Sequence, residues 1–308
     1  MKSSLTLILF SLMVFLVSCS TQEVKKTDSF FMNLELQTSN KNKEMIIENV
    51  LEQNIIFSID FNKEGSYRLD DNILDSSLKY FCNGFIQDQN IYLQSLVFGP
   101  SKIKDKKILI IYSESFEKYA NELKKSYPNE LYFYLDRNNY EDAIKDIFNV
   151  HDSIDKHLKI SKLDKNLKFD HSPRIRNDIS KIYFLLDYSF GKTVVPYVRN
   201  YAFKIDSYSS SEIFHEANNI KKLVDFENLY TPLSEELIEK IQQKKNIKSI
   251  RNELEKFLIK DFLLIEKLYQ NNFFEKNISL NTSNQKIRNN NKCIDRSFEI
   301  YKISSNDF

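Results

Sequence analysis

Lys107-Ile108-Leu109-Ile110-Ile111-Tyr112, Leu131-Tyr132-Phe133-Tyr134-Leu135 and Lys181-Ile182-Tyr183-Phe184-Leu185-Leu186 are three short apolar runs rich in Ile, Tyr and Phe. Runs of this length and composition read as strands covered on both faces. Between the first two, Phe116, Tyr119, Ala120 and Leu123 fall on one helical face. Between the second and third, Tyr140, Ala143, Ile144, Ile147 and Phe148 do the same in an amphipathic helix over Tyr140–Val150. A short helix stopped by Pro196 follows the third run. Strand–helix–strand–helix–strand order predicts a mostly parallel sheet with right-handed crossovers.

Outward from this centre the alternation continues. Ile46, Ile47, Val50 and Leu51 mark a helix, and Ile55-Ile56-Phe57-Ser58-Ile59 a buried strand. Leu74, Leu78, Phe81, Cys82 and Phe85 form a helical stripe, while Ile91–Phe98 reads equally well as helix or strand. Thr231-Pro232 is the expected start of a long amphipathic stretch reaching about Tyr269, with Thr231 as N-cap. Residues 278–303 alternate turn residues with apolar runs and suggest a hairpin. The whole fits an α/β, two-lobed, type I periplasmic-binding-protein-like fold with mostly parallel sheets and a truncated first lobe. The expected first lobe covers about 31–103 and 211–308, and the second about 104–210.

The N-terminus carries an export signal. Lys2 precedes the apolar run Leu5–Val17, whose thirteen residues are too few to span a bilayer. The run ends in Leu16-Val17-Ser18-Cys19, with the apolar, small and Cys pattern of a bacterial lipobox. Residues 1–18 are then a lipoprotein signal peptide, Cys19 the acylated residue and 19–30 a lipidated tether. Ser20 rather than Asp after the Cys implies sorting to the outer membrane.

The stretch His171-Ser172-Pro173-Arg174-Ile175-Arg176-Asn177-Asp178-Ile179 leads straight into the third strand. With its surroundings, from about Tyr140 to Phe214, it resembles the C-terminal domain of the penicillin-binding-protein activator lipoproteins of LpoA/LppC type. In that family a P-R-x-R-x-D-I-D stretch enters a D-x-I-Y-L strand and then a P-x-L helix end. The resemblance implies a non-enzymatic lipoprotein, anchored on the periplasmic face of the outer membrane, whose partner is a class A, bifunctional penicillin-binding protein of peptidoglycan synthesis. A solute-binding or sensing lipoprotein using the interlobe cleft is the alternative.

Arg174, Arg176 and Asp178 read either as a partner contact or as arginines bonding carboxylates and carbonyls, with Asp178 capping a turn. Candidate cleft residues are Ser113, Ser115, Ser209 and Ser210, in the runs Ser113-Glu114-Ser115 and Ser207-Tyr208-Ser209-Ser210-Ser211, which read equally as strand-end turns. The resemblance places Cys82 and Cys293 in the first lobe, where an oxidising compartment permits a disulfide; Cys82 reads equally well as a small core residue.

Other chemistry finds little support. A net charge of +1 offers no bulk attraction for nucleic acid. The four glycines, Gly65, Gly84, Gly99 and Gly191, stand apart and build no phosphate-cradling loop. His151, His157 and His171 lack zinc-ligand spacing, and Asp152-Ser153 beside His151 lies in no nucleophile elbow. No catalytic residue, metal site or cofactor is expected. Replacing the lipobox cysteine, Cys19→Ser, should abolish incorporation of a fatty-acid probe during growth; unchanged labelling would remove the anchor.

Overall fold

The computed structural model describes residues 31–52, 56–99, 105–163, 176–244, 246–271, 278–287 and 293–307. The chain opens with strand β1 (Phe31–Thr38), helix α1 (Asn40–Leu51), β2 (Ile56–Asp60) and β3 (Tyr67–Leu69). These strands make a small parallel sheet in the order β2-β1-β3. Ser39 starts α1 by accepting the Asn42 N–H on its hydroxyl.

Helix α2 (Phe85–Val97) leads to β4 (Lys107–Tyr112), α3 (Glu117–Ser126), β5 (Leu131–Tyr134), α4 (Tyr140–Ile147) and α5 (Val150–Leu163). Then come β6 (Ile179–Leu185), α6 (Tyr188–Ala202), β7 (Asp206–Tyr208) and β8 (Leu229–Thr231). Helices α7 (Glu235–Gln242) and α8 (Ile250–Gln270) precede a hairpin of β9 (Asn284–Ile287) with β10 (Ile294–Ser297), and β11 (Tyr301–Lys302) follows. The second sheet runs β11-β8-β7-β6-β4-β5 and is parallel except for β11.

The period of two along β4 divides the core. Ile108 and Ile110 pack with Leu93 and Val97 of α2 and Ala120 and Leu123 of α3. Leu109 and Ile111 face the other way, into a cluster that continues through Phe214, Leu254, Leu258 and Phe262 to Met32, Leu34 and Leu36 of β1. One apolar core therefore joins both sheets, with α8 packed on α1 and β1.

The mostly parallel α/β architecture and the closing hairpin agree with the sequence expectation; several local readings do not. The expected helix through Leu74 and Phe81 is a compact run of turns, although Leu74, Leu78, Phe81 and Phe85 are all buried. Tyr80 adopts a left-handed backbone (φ 76°), and the chain folds back so that Ile86 N–H reaches the Leu74 carbonyl at 3.1 Å. The ambiguous stretch from Ile91 is helix α2. Strand β2 is an edge strand covered on one face only: Phe57 and Ile59 pack partly on the core, while Ile56 on the other face is 55% exposed.

The Tyr140 helix breaks at Asn149 (φ 57°), where α5 begins a new direction. Pro196 does not stop α6 but sits inside it. Burial of Val194, Val195, Val198 and Ala202 on both sides of the proline outweighs its missing N–H. Thr231 ends β8 instead of capping a helix, and Ser234 is the N-cap of α7, accepting from Leu237 N–H.

The lobe boundaries also shift. Of the segment 211–308, α8 returns to the small sheet, but β8 and β11 belong to the large one. Pairing of such short strands is fixed by their tertiary neighbours, which no local pattern reveals.

Gly84 caps the N-terminus of α2, and a Cβ there would lie 2.2 Å from the Asp75 carbonyl oxygen. Gly84→Ala should therefore force the buried turn apart and lower stability by about 1–3 kcal/mol in urea denaturation.

Candidate functional site

Parallel α/β sheets present their loops for binding at the carboxyl ends of the strands. At this edge of the large sheet, Ser113 follows β4 and the run Ser209-Ser210-Ser211 follows β7. Ser113, Ser209 and Ser210 thus lie at one edge of the sheet. Ser115 also lies there, on an exposed 3-10 turn over Glu114–Phe116.

Most of these hydroxyls serve the protein itself. Ser209 Oγ donates to the Phe184 carbonyl at 2.9 Å, and Ser210 Oγ to Glu212 Oε2 at 3.1 Å. Ser211 donates through both N–H (3.0 Å) and Oγ (2.9 Å) to Gln89 Oε1, while Gln89 Nε2 donates to the Pro232 carbonyl at 3.0 Å. Ser113 differs: it is 5% exposed, and its Oγ has no hydrogen-bond partner among the described residues.

Two titratable groups sit behind the serines. Burial raises the Glu212 carboxyl above its usual range, partly opposed by the Ser210 bond. Burial, with the nearby Arg251 charge, pushes the His215 imidazole down to about 3. His215 Nε2 lies 3.1 Å from Ser211 Oγ. This Ser–His contact is sealed in the core, so it offers no accessible nucleophile.

The small sheet has a corresponding edge. An open pocket of about 320 Å³ lies at the carboxyl ends of β1 and β3, lined by Thr38, Ser39, Arg68, Asp70 and Asp71 among others. Arg251 connects the two edges. Its Nη2 donates to Asn72 Oδ1 at 2.6 Å, and its backbone N–H to the His215 carbonyl at 3.0 Å.

The basic stretch lies elsewhere. Arg176 grips Asp178 through Nε (2.7 Å) and Nη2 (2.6 Å). Its backbone N–H and Nη1 reach the Phe148 and Ile147 carbonyls at the end of α4. The Asp178 carbonyl accepts Lys107 N–H at 2.7 Å. Arg176 and Asp178 therefore cap a helix and start two strands at the amino edge of the large sheet, opposite the serines. Arg174, His171 and Cys19 lie outside the described residues. His151 Nε2 stands 3.8 Å from Asp146, and no group of metal-ligating side chains occurs among the described residues.

Gln89, Glu212, His215 and Arg251 were not singled out from sequence. Gln89 had a signal: it interrupts the stripe Phe85-Leu93-Val97 at helical spacing, where an amide is costly unless bonded. Glu212 and His215 lie just after β7, and Arg251 reaches them only from α8 in the folded chain.

The chain matches no protein-family model and no curated protein in sequence. Among solved structures it is similar to a candidate branched-chain amino acid ABC transporter from Rhodospirillum rubrum. That likeness has TM-score 0.50 and 10% identity, over 90% of this chain and 98% of that one. The fold is thus type I periplasmic-binding-protein-like. Full-length LpoA from Haemophilus influenzae is similar at TM-score 0.41 and 9% identity, over 89% of this chain and 47% of that one. The LpoA C-domain from the same organism, described as a regulator of PBP1A, gives 0.41 and 8%, over 89% and 80%. This chain spans about half the length of full-length LpoA.

His215 is neutral in the fold and protonates near its ordinary value once unfolded, so acid favours the unfolded state. Its contribution is complete above about pH 6.5 and is lost as pH falls towards 3. Between pH 7 and pH 5 the protein should lose about 2 kcal/mol that the His215→Gln variant does not lose, as read by urea denaturation at both pH values.

Proposed function

We propose that this chain is the periplasmic domain of an outer-membrane lipoprotein that docks on a class A penicillin-binding protein and favours the synthase's active state, without chemistry of its own. The lipobox at Cys19 and the activator-like order from Tyr140 to Phe214 direct the reading. The observation that carries it is the bonding of the carboxyl-edge serines. Ser209, Ser210 and Ser211 are spent on Phe184, Glu212 and Gln89, and a single core binds the two sheets. Such a body offers a fixed surface rather than a clamp closing on a solute. A docking protein raises activity only by binding the active state more tightly than the inactive one.

The solute-binding reading retains one observation, the pocket beside Arg68, Asp70 and Asp71 at the edge of the small sheet. An amino acid could set its carboxylate by Arg68 and its ammonium by the aspartates.

Both readings can be separated with the purified domain and the class A synthases of its own cell. Glycan polymerisation or cross-linking should accelerate and saturate with domain concentration, while the domain alone hydrolyses nothing. Absence of binding and stimulation with every such synthase, together with millimolar-or-better amino-acid binding by calorimetry, would give the site to a solute.

A further inference from the structure

The chain passes between the two sheets three times. It leaves the small sheet after β3 and enters α2, returns from β8 to α8, and leaves again after α8 through the hairpin to β11. The first and third passages meet beside the start of α2. Cys82 and Cys293 are joined there by a disulfide across a sequence separation of 211. Cys82 N–H donates to the Ile294 carbonyl at 3.0 Å, and Ile294 N–H to the Tyr80 carbonyl at 2.7 Å, forming a short parallel bridge between Phe81 and Ile294.

The noncovalent part of this junction carries costs. Tyr80 is a bulky residue held at φ 76°, a left-handed backbone that L side chains disfavour. Arg296 is buried, with its side chain fully covered. Its Nη1 donates to Asp88 Oδ2 at 2.8 Å and to the Asn83 carbonyl at 3.0 Å, and its guanidinium lies 3.9 Å over the Phe81 ring. Its Nε and Nη2 have no hydrogen-bond partner among the described residues. Leaving those two nitrogens unbonded offsets part of what the Asp88 and Asn83 bonds contribute to holding the hairpin in place. The crosslink acts the other way, since it closes a very long loop and so removes much freedom from the undocked chain. Both cysteines are half-buried, at the rim of the core rather than sealed in it.

We propose that the Cys82–Cys293 disulfide is a redox latch that holds the third passage on the first, so that reduction frees the stretch from Cys293 to Ile303 while the shared core keeps the two sheets together. The reductant is a dithiol. One of its thiolates attacks a sulfur of the disulfide and expels the other cysteine as a thiolate. Its second thiolate then resolves the mixed disulfide, leaving the reductant oxidised and Cys82 and Cys293 with two electrons and two protons. Once freed, Cys293–Ile303 no longer anchors β11, whose two residues cover the outer edge of β8. The latch goes beyond the docking proposal, and its test does not use a synthase.

Hydrogen exchange of the mature chain, oxidised and after dithiothreitol at neutral pH without denaturant, tests it, with thiol alkylation reporting the redox state. Reduction should raise exchange at Ile294 and Ile303 at least tenfold while β4 and β6 keep their protection. The Cys82→Ser/Cys293→Ser double variant should match the reduced protein. Three results would overturn the latch: a disulfide reduced only in denaturant, unchanged exchange at Ile294 and Ile303 after reduction, or equal loss of protection at β4 and β6. The last would mark a staple for the whole fold.

Discussion

Two neighbouring side chains on α2, Asp88 and Gln89, hold the molecule's parts in register. Gln89 is wholly buried, and its amide bonds the turn after β7 and the end of β8. Asp88 receives Arg296 from the closing hairpin. A buried amide or carboxylate is tolerated only where its partners are supplied, so these bonds fix both the helix and the segments it meets. The far end of α2 is secured from the sheet. Lys181 on β6, 9% exposed, places its ammonium 2.8 Å from the Leu96 carbonyl and 3.3 Å from Val97, where the helix leaves carbonyls unbonded. Burial lowers the Lys181 pKa, and the nearby Asp206 charge acts against that fall.

A second polar device holds the start of the closing segment. Asp261, in the middle of α8, is fully buried and accepts from the N–H and Nδ2 of Asn281 and from the N–H and Oγ1 of Thr282. Burial raises its pKa, and the four donors act against that rise. Loops that cross from one sheet to another cannot satisfy their backbone within a ladder, so the helices supply the missing partners. Gln89 of α2 and Asp261 of α8 serve this purpose, bonding loop backbone from within the core.

The same requirement shapes the functional surface. At the carboxyl edge of the large sheet, where this architecture leaves polar groups for a ligand, the serines after β7 are taken by Phe184, Glu212 and Gln89. Ser113 alone of the candidate cleft serines is buried with its hydroxyl unbonded among the described residues. The small sheet's pocket stays open. A continuous core beneath both edges resists the swing that a closing cleft needs, because separating the sheets would expose Leu254, Leu258 and Phe262. Docking through a fixed face makes no such demand.

The runs at Lys107, Leu131 and Lys181 by themselves determined the parallel core, since continuous Ile-, Tyr- and Phe-rich strands between amphipathic helices have few other ways to bury both faces. The sequence left Arg176 and Asp178 open between a partner contact and a local structural role, and the fold bonds them to each other. Spacing misled at Leu74–Phe85, because a buried turn satisfies the same apolar contacts as a helix; at Pro196, packing overruled the proline. Tertiary structure alone decided which sheet took β8 and β11, that Cys82 meets Cys293 across the chain, and that Gln89, Glu212, His215 and Arg251 stand together. Each depends on contacts between residues distant in sequence, which only the folded chain brings together.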